Sequence, residues 1–531
     1  MTEFSPWVSG TNPLLYPWIE HNNMLDHGLE KTAAFIIRKN GVYYECLVGG
    51  TSSLAGTIFY GGSDNTGGVD GTDGRAVAQA SGDATSVIYG GGVVFIKEGT
   101  FTFDDAVTIS AKNSVYFKGS GAGTIITQSD ASDNTHFFNW LNCTYGGISD
   151  VYMNGNGGTQ TGGTSAVCIN GTSNKIRVNN CYIAEMYDQG ILIGGTASHN
   201  YIIGNWLNDC DNNGISLTYA GATAGYNVIT NNTSYDTQFA VGTVLADHNT
   251  IANNIFRNNA ADTLNEPINL ERSCYNLVAN NQIVGSGDAG IVVHDGAAAG
   301  YSLGNRIIGN EVSNCAFMGI HLADYSGRNI VSGNYCWNNN QDDDQVNKYA
   351  GIEVDGSHTS HNLITGNICT DSQTGVETQT FGIKIHTSAD YNIVKANDCN
   401  LNLDAPYSVA GYNNSYDGTV RSSTSADLSG GATLLPVFHS KAAAHLARAT
   451  LLYTEVSSAD IDWGTIEIGK ETDQNYYYDG VPQASQAVWF ENTLTLLKND
   501  IAAGDTLTFY SGGGKTGTGE IMLIIDYLVG A

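Results

Sequence analysis

The chain is short of positive charge. It carries 22 Lys and Arg residues against 52 Asp and Glu residues, which gives a formal net charge of −30 at pH 7. Nucleic acids and anionic membrane surfaces attract proteins through clustered Lys and Arg, so this composition excludes both classes of partner. Solubility is the simplest interpretation of the acidic excess.

Long apolar stretches are also missing. No run of 18 apolar residues occurs, which predicts a chain without a transmembrane helix. The amino-terminal sequence MTEFSPWVSG has neither the basic segment nor the apolar segment of a signal peptide. We therefore expect the protein to be made without a secretion signal.

The ten cysteines lack the spacing of a metal site. No Cys-x-x-Cys motif and no Cys/His pair at zinc spacing occurs among them. Four of them fall two residues after the second Asn of a repeat described next, where other copies have plain core residues. These four are Cys181, Cys336, Cys369 and Cys399. We predict buried structural thiols and no metal site built on them.

The chain does contain one motif nine times between residues 174 and 397: Asn, any residue, Ile or Val, any two residues, Asn. The pairs are Asn174/Asn179, Asn200/Asn205, Asn227/Asn232, Asn249/Asn254, Asn276/Asn281, Asn305/Asn310, Asn329/Asn334, Asn362/Asn367 and Asn392/Asn397. Successive copies begin 22 to 33 residues apart. A period of this size indicates a solenoid, in which each coil buries its apolar face against its neighbours.

The coil is predicted to be β rather than α. Its apolar residues alternate with polar ones over short β-branched stretches, and no unit has ten residues at helical spacing. A second mark, Gly-Ile, opens a strand in six coils, at Gly190, Gly214, Gly290, Gly319, Gly351 and Gly382. Asn tolerates left-handed backbone, and stacked Asn amides can form a ladder. The sequence therefore predicts an all-β protein built as a parallel β-helix.

Composition shifts divide the chain into four segments. Residues 1–70 are predicted to be a small adaptor, with a hairpin around Asn40-Gly41 and then a Gly-rich loop. Residues 71–418 form the β-helix, and the polar segment 419–436 has the composition of a linker. Residues 437–531 contain alternating strands separated by turn residues, which is typical of a β-sandwich.

The opening coils resemble a known superfamily. The run GGGVVFIKEGTF, then VTIS, then VYFKGSGAGTII is similar to the first coils of the pectate-lyase-like right-handed β-helix proteins. That superfamily includes polysaccharide lyases, glycoside hydrolases and viral tailspikes or fibres, and the resemblance extends over about residues 72–418. It implies the fold, and it implies an activity only weakly, because the same fold carries many functions. The order of β-helix and carboxy-terminal domain also resembles spikes and fibres of phages or archaeal viruses.

Strand parity after each Gly-Ile predicts which side chains point outward. The first and third positions carry core residues, so the second and fourth face solvent. In the last five coils these outward positions are rich in titratable groups. The candidate catalytic residues in this strip are Asp295, Asp324, Glu353 and Asp355. The candidate carbohydrate-binding residues, which include aromatic rings able to stack on a sugar, are Arg272, His294, His321, Tyr325, Trp337, Lys384 and His386.

Two kinds of chemistry fit this strip. Outward groups on one strand, such as Glu353 and Asp355, are about 7 Å apart and vertical neighbours about 5 Å apart, which covers the carboxylate separations of inverting and retaining glycoside hydrolases. A lyase is the alternative, with Lys384, His321 or Arg272 taking the α-proton of a uronate. The chemistry requires no cofactor, although clustered carboxylates can hold Ca²⁺. A solvated ladder of salt bridges is the plainest interpretation.

The turns before Gly351 and Gly382 are longer than their counterparts, which predicts loops that wall a groove beside the strip. The missing signal peptide and the two flanking segments favour a virion spike or fibre that binds, and in one version depolymerises, host cell-surface polysaccharide. Such a protein is expected to be a homotrimer on the virion surface, in contact with other virion proteins. The alternatives are a free polysaccharide lyase or glycoside hydrolase and a purely structural virion protein.

Overall fold

The computed structural model describes residues 33–49, 55–129, 136–159, 162–163, 165–217, 224–257, 266–296, 300–343, 346–373, 378–409 and 414–417, together with the backbone of eight strands between residues 433 and 529. The chain divides into two compact units, Met1–Ala316 and Phe317–Ala531, which we call unit 1 and unit 2. Within these described ranges, no helix has the length and apolar character needed to cross a bilayer.

Unit 1 begins with an antiparallel hairpin of the strands Phe35–Asn40 and Tyr43–Val48. Its turn contains Gly41 at a φ of +63°, a backbone conformation that favours glycine. A third strand, Ile58–Gly61, pairs with the second. The first strand also pairs in parallel with Gly92–Ile96, so the hairpin is joined to the first coil of the β-helix.

One helix, Gly74–Tyr89, was not predicted from the sequence. Asp73 caps it by accepting a hydrogen bond from the amide of Ala76 at 2.9 Å, and Gly90 ends it in the left-handed conformation. Its buried face consists largely of small residues, which give little apolar periodicity to read. Gly82 lies close to Phe117, where a side chain would collide with the ring.

The coils of unit 1 form three parallel sheets. Before the Asn repeats lie the strands Gly99–Phe103, Val107–Ser110, Val115–Gln128, Phe138–Leu141 and Thr144–Asn154, followed by the short 3-10 turn Gly157–Thr159. The first sheet holds the Asn-motif strands Asn174–Asn179, Tyr201–Ile203, Val228–Thr230, Thr250–Ala252, Leu277–Ala279 and Arg306–Ile308. The second holds Tyr182–Met186, Ile255–Arg257, Gln282–Ser286 and Glu311–Cys315, and the third holds Ser165–Asn170, Gln189–Ile193, Ile268–Glu271 and Ile291–His294. Two long strands, Trp206–Leu217 and Thr233–Val244, run through the second and the third sheet. Ser302–Leu303 is a short additional strand.

Unit 2 repeats the same three-sheet plan. Its first sheet contains Ile330–Ser332, Leu363–Thr365, Ile393–Lys395 and Ser415–Asp417, and its second contains Tyr335–Trp337 and Ile368–Thr370. Its third sheet contains Ile320–Leu322, Ala350–Val354, Phe381–Ile385 and Ala405–Val409, and Ser326–Gly327 is a short additional strand. The predicted parallel β-helix is confirmed.

Two columns of buried Asn side chains join successive coils. Asn205 donates its amide N–H and its Nδ2 to the Oδ1 of Asn232, at 2.9 and 3.0 Å, and Asn232 repeats this with Asn254. In unit 2 the other column, formed by the first Asn of each motif, extends one coil beyond the ninth copy, because Asn392 donates its N–H to the Oδ1 of Asn414 at 2.9 Å. These stacked amides form the Asn ladder that the sequence predicts, and they bring buried donors to buried acceptors.

The first of the nine predicted copies is out of register by two residues. Val178, not Ile176, pairs with Ile202. The Oδ1 of Asn200 accepts from the amide of Ile176 at 2.9 Å, so Asn174 takes no part in the column. The predicted place of Cys181 in the core column is wrong for the same reason, because Ile183 pairs with Leu207 there.

The other three cysteines of that group behave as predicted. Cys336 pairs in register with Cys369, and both are free, fully buried thiols together with Cys399. Burial raises the pKa of the Cys369 thiol, and contacts with its two cysteine neighbours raise it further. These three side chains fill buried core positions.

An outer stack of rings accompanies the Asn columns of unit 1. His199, Tyr226, His248 and Tyr275 each precede a column Asn and each lie at a φ of 56° to 58°. Their rings stack in order, with centroids 5.1, 4.8 and 5.1 Å apart. The left-handed turn that suits Asn is therefore also held here by aromatic side chains.

The carboxy-terminal strands are antiparallel. Thr433–His439 pairs with Thr506–Ser511, which also pairs with Ile466–Lys470, and that strand pairs with Asp473–Gly480. In a second sheet, Ala444–Val456 pairs with Glu491–Thr493, Asp500–Ile501 and Gly519–Val529. The β-sandwich stays a prediction. The predicted adaptor before residue 33 and most of the predicted linker lie outside the described residues.

Candidate functional site

Five titratable residues form a patch on the third sheet of unit 2. His321, Glu353 and Lys384 lie in register on successive strands, and Asp355 and His386 follow two positions after the last two of them. We call these five residues the unit 2 patch. Their in-strand neighbours are buried core residues, each at most 1% exposed, as the parity of the strands predicts.

Glu353 is the buried centre of the patch, with only 2% of its surface exposed. Its Oε1 accepts hydrogen bonds from Lys384 Nζ at 3.2 Å and from His386 Nε2 at 2.6 Å. Its Oε2 is buried and has no hydrogen-bond partner among the described residues. The outward direction of Glu353 was predicted from parity, but its neighbours cover it, so it does not face solvent.

Asp355 forms the second carboxylate–imidazole pair. Its Oδ1 lies 2.9 Å from His321 Nε2. Burial pushes the pKa of Asp355 upward, but the hydrogen bond from His321 and the positive charges nearby outweigh burial, so this pKa lies below its ordinary value. Asp355 is therefore an ionised carboxylate at neutral pH.

The longer turn before Gly351 contributes directly to the patch. Lys384 Nζ donates to the backbone carbonyl oxygens of Asn347 and Lys348, at 2.6 and 3.3 Å. The Lys348 side chain in turn bonds the carboxylate of Asp404 at 2.6 Å. This loop thus borders the patch, as its length predicts. Asp342 and Asp343 are exposed in it, and Asp344 lies outside the described residues.

A second polar group lies on the third sheet of unit 1. His294 accepts a hydrogen bond at Nδ1 from the amide of Gly296, at 3.1 Å, and its Nε2 lies 3.0 Å from Asn269 Nδ2 and 3.3 Å from Asn269 Oδ1. Asn269 also bonds the carboxylate of Glu266.

Arg272 and Asp295 were also predicted for this strip. Arg272 forms an ion pair with the adjacent Glu271 at 2.7 Å, and Gly296 packs so closely on Glu271 that a side chain there would collide with it. Asp295 is 9% exposed. Both residues lie beside His294 in unit 1, but Arg272 is already engaged by a carboxylate.

Three predicted residues of unit 2 are engaged outside the patch contacts. Asp324 accepts a hydrogen bond from the amide of Ser357 at 2.9 Å and thereby supports a turn. Tyr325 stacks on His358, with ring centroids 4.5 Å apart. Trp337 lies on the second sheet and stacks on Tyr335 at 5.9 Å. The rings of Tyr325 and Trp337, which were predicted to stack on a sugar, therefore stack on other side-chain rings of the protein.

A cleft that the sequence did not predict occurs in unit 1. It has a volume of about 330 Å³ and is lined by Gly163, Tyr187, Asp188, Asp211, Asn212 and Gln238. Burial raises the pKa of Asp188, and burial and the charge of Asp209 raise that of Asp211. These residues lie at one corner of successive coils. The only hint of this cleft in the sequence is that Asp188 and Asp211 lie about one coil length apart. Neither of them occupies one of the outward positions that the Gly-Ile mark defines.

The three residues Glu353, Asp355 and His386 approach most closely within the unit 2 patch. One potential ligand atom from each lies within 4.8 Å of the other two. They comprise two carboxylates and one imidazole, and they come from two adjacent coils.

Comparison with known proteins gives the following. A family model described as "Right handed beta helix region" matches residues 165–336. No curated protein matches the chain. The family match and the parallel coils together establish a right-handed parallel β-helix, and the predicted superfamily resemblance holds at this level of fold.

Several solved structures are similar to this chain. The A-module of the mannuronan C-5 epimerase AlgE4 from Azotobacter vinelandii has 15% identity and a TM-score of 0.48, covering 65% of this chain and 96% of that one. The catalytic domain of a GH87 alpha-1,3-glucanase in complex with nigerose has 13% identity and a TM-score of 0.39, covering 61% and 63%. Tailspike protein 3 of bacteriophage CBA120 has 14% identity and a TM-score of 0.41, covering 67% and 59%. At these values the similarities assign no function.

Proposed function

We propose that this chain binds polysaccharide along the outward face of the third sheet of unit 2 and that the unit 2 patch cleaves a uronate-containing chain by β-elimination. The observation that carries the proposal is the pairing of two imidazoles with two carboxylates in one patch, His386 with Glu353 and His321 with Asp355. Oriented imidazoles are the usual groups for moving protons near neutral pH.

Accessibility decides which groups would touch the substrate. The side chains of His386 and Asp355 are each 34% exposed and that of His321 is 16% exposed, against 3% for Glu353. We therefore assign His386 as the base that takes the α-proton of the uronate, with Glu353 as its positioning residue. His321, held by Asp355, supplies a proton to the leaving oxygen.

The elimination is balanced within these residues. The electron pair of the α C–H bond forms the new C=C bond, and the bond from the β-carbon to the glycosidic oxygen breaks. His386 holds the abstracted proton, and His321 gives one to the departing oxygen. Lys384 keeps a positive charge beside the site, which offsets the carboxylate of the uronate.

Hydrolysis by two carboxylates is less well supported. A glycoside hydrolase needs one carboxylic acid that remains protonated and reaches the glycosidic oxygen. Glu353 is buried beneath its partners, and the pKa of Asp355 is lowered rather than raised. The net charge of −30 opposes an acidic substrate little at long range, because salt screens charge interactions beyond about 8 Å at physiological ionic strength.

The test is an assay of the full chain on uronate-containing and neutral polysaccharides, which follows the ultraviolet absorbance of the unsaturated product. We expect product from a uronate polymer and a loss of about 10²-fold or more in His386→Ala. His361→Ala is the matched control, since His361 is an exposed histidine of the same unit that stacks on Tyr391. Products that have gained water, or no products at all, would refute elimination.

We propose a virion spike or fibre as the setting, with the glycan on the host surface and a homotrimer as the assembly. The succession of a parallel β-helix and antiparallel carboxy-terminal strands supports it. Light scattering on a size-exclusion column should give three times the chain mass. A monomer would favour a free polysaccharide lyase instead.

A further inference from the structure

The Glu353–Asp355–His386 group spans two neighbouring coils. Val354 pairs in register with Ile385, so Asp355 and His386 occupy equivalent positions one coil apart. A potential ligand atom of each residue lies within 4.8 Å of those of the other two. The three side chains therefore converge on one point from two strands.

A second observation is independent of this convergence. The Glu353 side chain is 97% buried, since only 3% of it is exposed, and its Oε2 has no hydrogen-bond partner among the described residues. Lys384 and His386 both bond the other oxygen. An unpartnered buried carboxylate oxygen carries a large desolvation cost, and a bound cation is one way to remove that cost.

We propose that Glu353, Asp355 and His386 bind a divalent transition metal ion of the Zn²⁺ class. Two carboxylate oxygens and one imidazole nitrogen are a common ligand set for such ions, with bonds of about 2.0 to 2.2 Å and one further position open. The ligand atoms lie within 4.8 Å of one another and have to move closer together to reach those bond lengths.

The donor set argues against the harder cations. Ca²⁺ takes six to eight oxygen ligands, and Mg²⁺ prefers an octahedron of oxygens. Here one of the three ligands is a nitrogen, and Lys384 holds a positive charge 3.2 Å from Glu353 Oε1. The Lys384 ammonium bonds Oε1 and is also held by two backbone carbonyl oxygens. Oε2 is therefore the Glu353 oxygen available to a metal.

Metal binding across the two coils has two consequences. It ties the strand Ala350–Val354 to the coil of Phe381–Ile385, so the thermal unfolding midpoint rises with added Zn²⁺. It also occupies His386, so Zn²⁺ inhibits elimination. This second consequence alone rests on the proposed function, whereas the binding itself does not.

The test is calorimetric titration of the full chain with Zn²⁺, in a Cys274→Ser background because Cys274 is the least buried of the cysteines. We expect about one Zn²⁺ per chain, and at least a tenfold weaker affinity in His386→Ala and in Asp355→Asn. His361→Ala should bind as the parent does, and Ca²⁺ in excess should not compete.

Two results would overturn the metal proposal. One is the absence of any saturable Zn²⁺ binding to the parent protein. The other is equal affinity in the parent, His386→Ala and Asp355→Asn, each shown by circular dichroism to be folded. If elimination occurs while Zn²⁺ does not bind, the metal proposal fails and the catalytic proposal stands.

Discussion

The Asn columns and the unit 2 patch both bury polar side chains, but they differ in how completely the buried atoms are hydrogen-bonded. Asn254 accepts two hydrogen bonds at Oδ1 and donates two from Nδ2. Glu353 accepts two at Oε1 and, from the part of the chain that the structure describes, none at Oε2. An amide carries donors and acceptors, so it can pass a hydrogen bond from each coil to the next, whereas a carboxylate can only accept.

This difference distinguishes buried polar groups that stabilise the fold from buried polar groups that belong to a functional site. Every coil can repeat an Asn, and repetition satisfies each group. The patch occurs once in the described coils, and its central carboxylate keeps an unmet acceptor. Natural folds retain such costs mainly at sites that act. Stability should therefore respond to changes in the columns, and chemistry to changes in the patch.

The largest loss of stability is expected from a column. Asn254→Ala leaves the amide of Asn232 and the carbonyl oxygen of Ile229 buried without their partner. At about 1 to 3 kcal/mol for each of the two unsatisfied groups, the free energy of unfolding should fall by about 2 to 6 kcal/mol. Denaturant unfolding followed by circular dichroism measures this change.

Asn253→Gly is the matched control. Asn253 is the exposed neighbour at a φ of 57°, where glycine fits without strain. Its unfolding free energy should stay within about 0.5 kcal/mol of the parent. Equal losses in the two variants would contradict the structural role of the column.

A smaller loss is expected within the patch. Glu353→Gln preserves shape but removes the charge that Lys384 and His386 contact, so the unfolding free energy should fall by about 1 to 3 kcal/mol. The pH dependence of elimination should also shift, because Glu353 positions His386. A variant with unchanged stability and an unchanged pH profile would make Glu353 an incidental buried residue.

The outer ring stack should contribute less. Tyr226 is 54% exposed and stacks on His199 and His248. Tyr226→Ala removes both contacts, which is expected to cost about 0.5 to 1.5 kcal/mol. A loss as large as that of Asn254→Ala would show that the columns depend on the exterior stack.

The smallest effect concerns pH. The pKa of Asp355 is lowered in the folded protein, so this residue stabilises the fold above its unfolded pKa of about 3.9, and that contribution disappears as the pH falls through the folded value. Unfolding midpoints of the parent and Asp355→Asn should differ at about pH 6 and converge in acid. A difference that grows in acid would have the wrong sign.

Periodicity made much of the fold predictable. Repeated Asn pairs, β-branched residues and Gly-Ile strands each reflect a constraint that every coil shares, so they predict the parallel sheets and the outward direction of Glu353. The register of the first copy was not predictable, because Asn174 and Asn179 match the motif while lying two residues away from its structural position. The helix Gly74–Tyr89 was missed because small residues form its buried face.

The patch was predictable only in part. Parity places His321, Glu353 and Lys384 in one column, but a sequence does not reveal that neighbours cover Glu353 or that Tyr325 and Trp337 stack on other rings. These outcomes depend on side-chain packing between coils. The cleft at Asp188 and Asp211 is of the same kind, since it arises from the corner of the coils and not from a strand pattern.

The most direct test compares Asn254→Ala with His386→Ala. Elimination is measured at a temperature where both variants are folded. We predict that Asn254→Ala keeps the parent rate despite its lower stability, and that His386→Ala loses about 10²-fold or more in rate while losing less stability than Asn254→Ala. Equal rates in both variants, or a loss confined to Asn254→Ala, would contradict the division between column and patch.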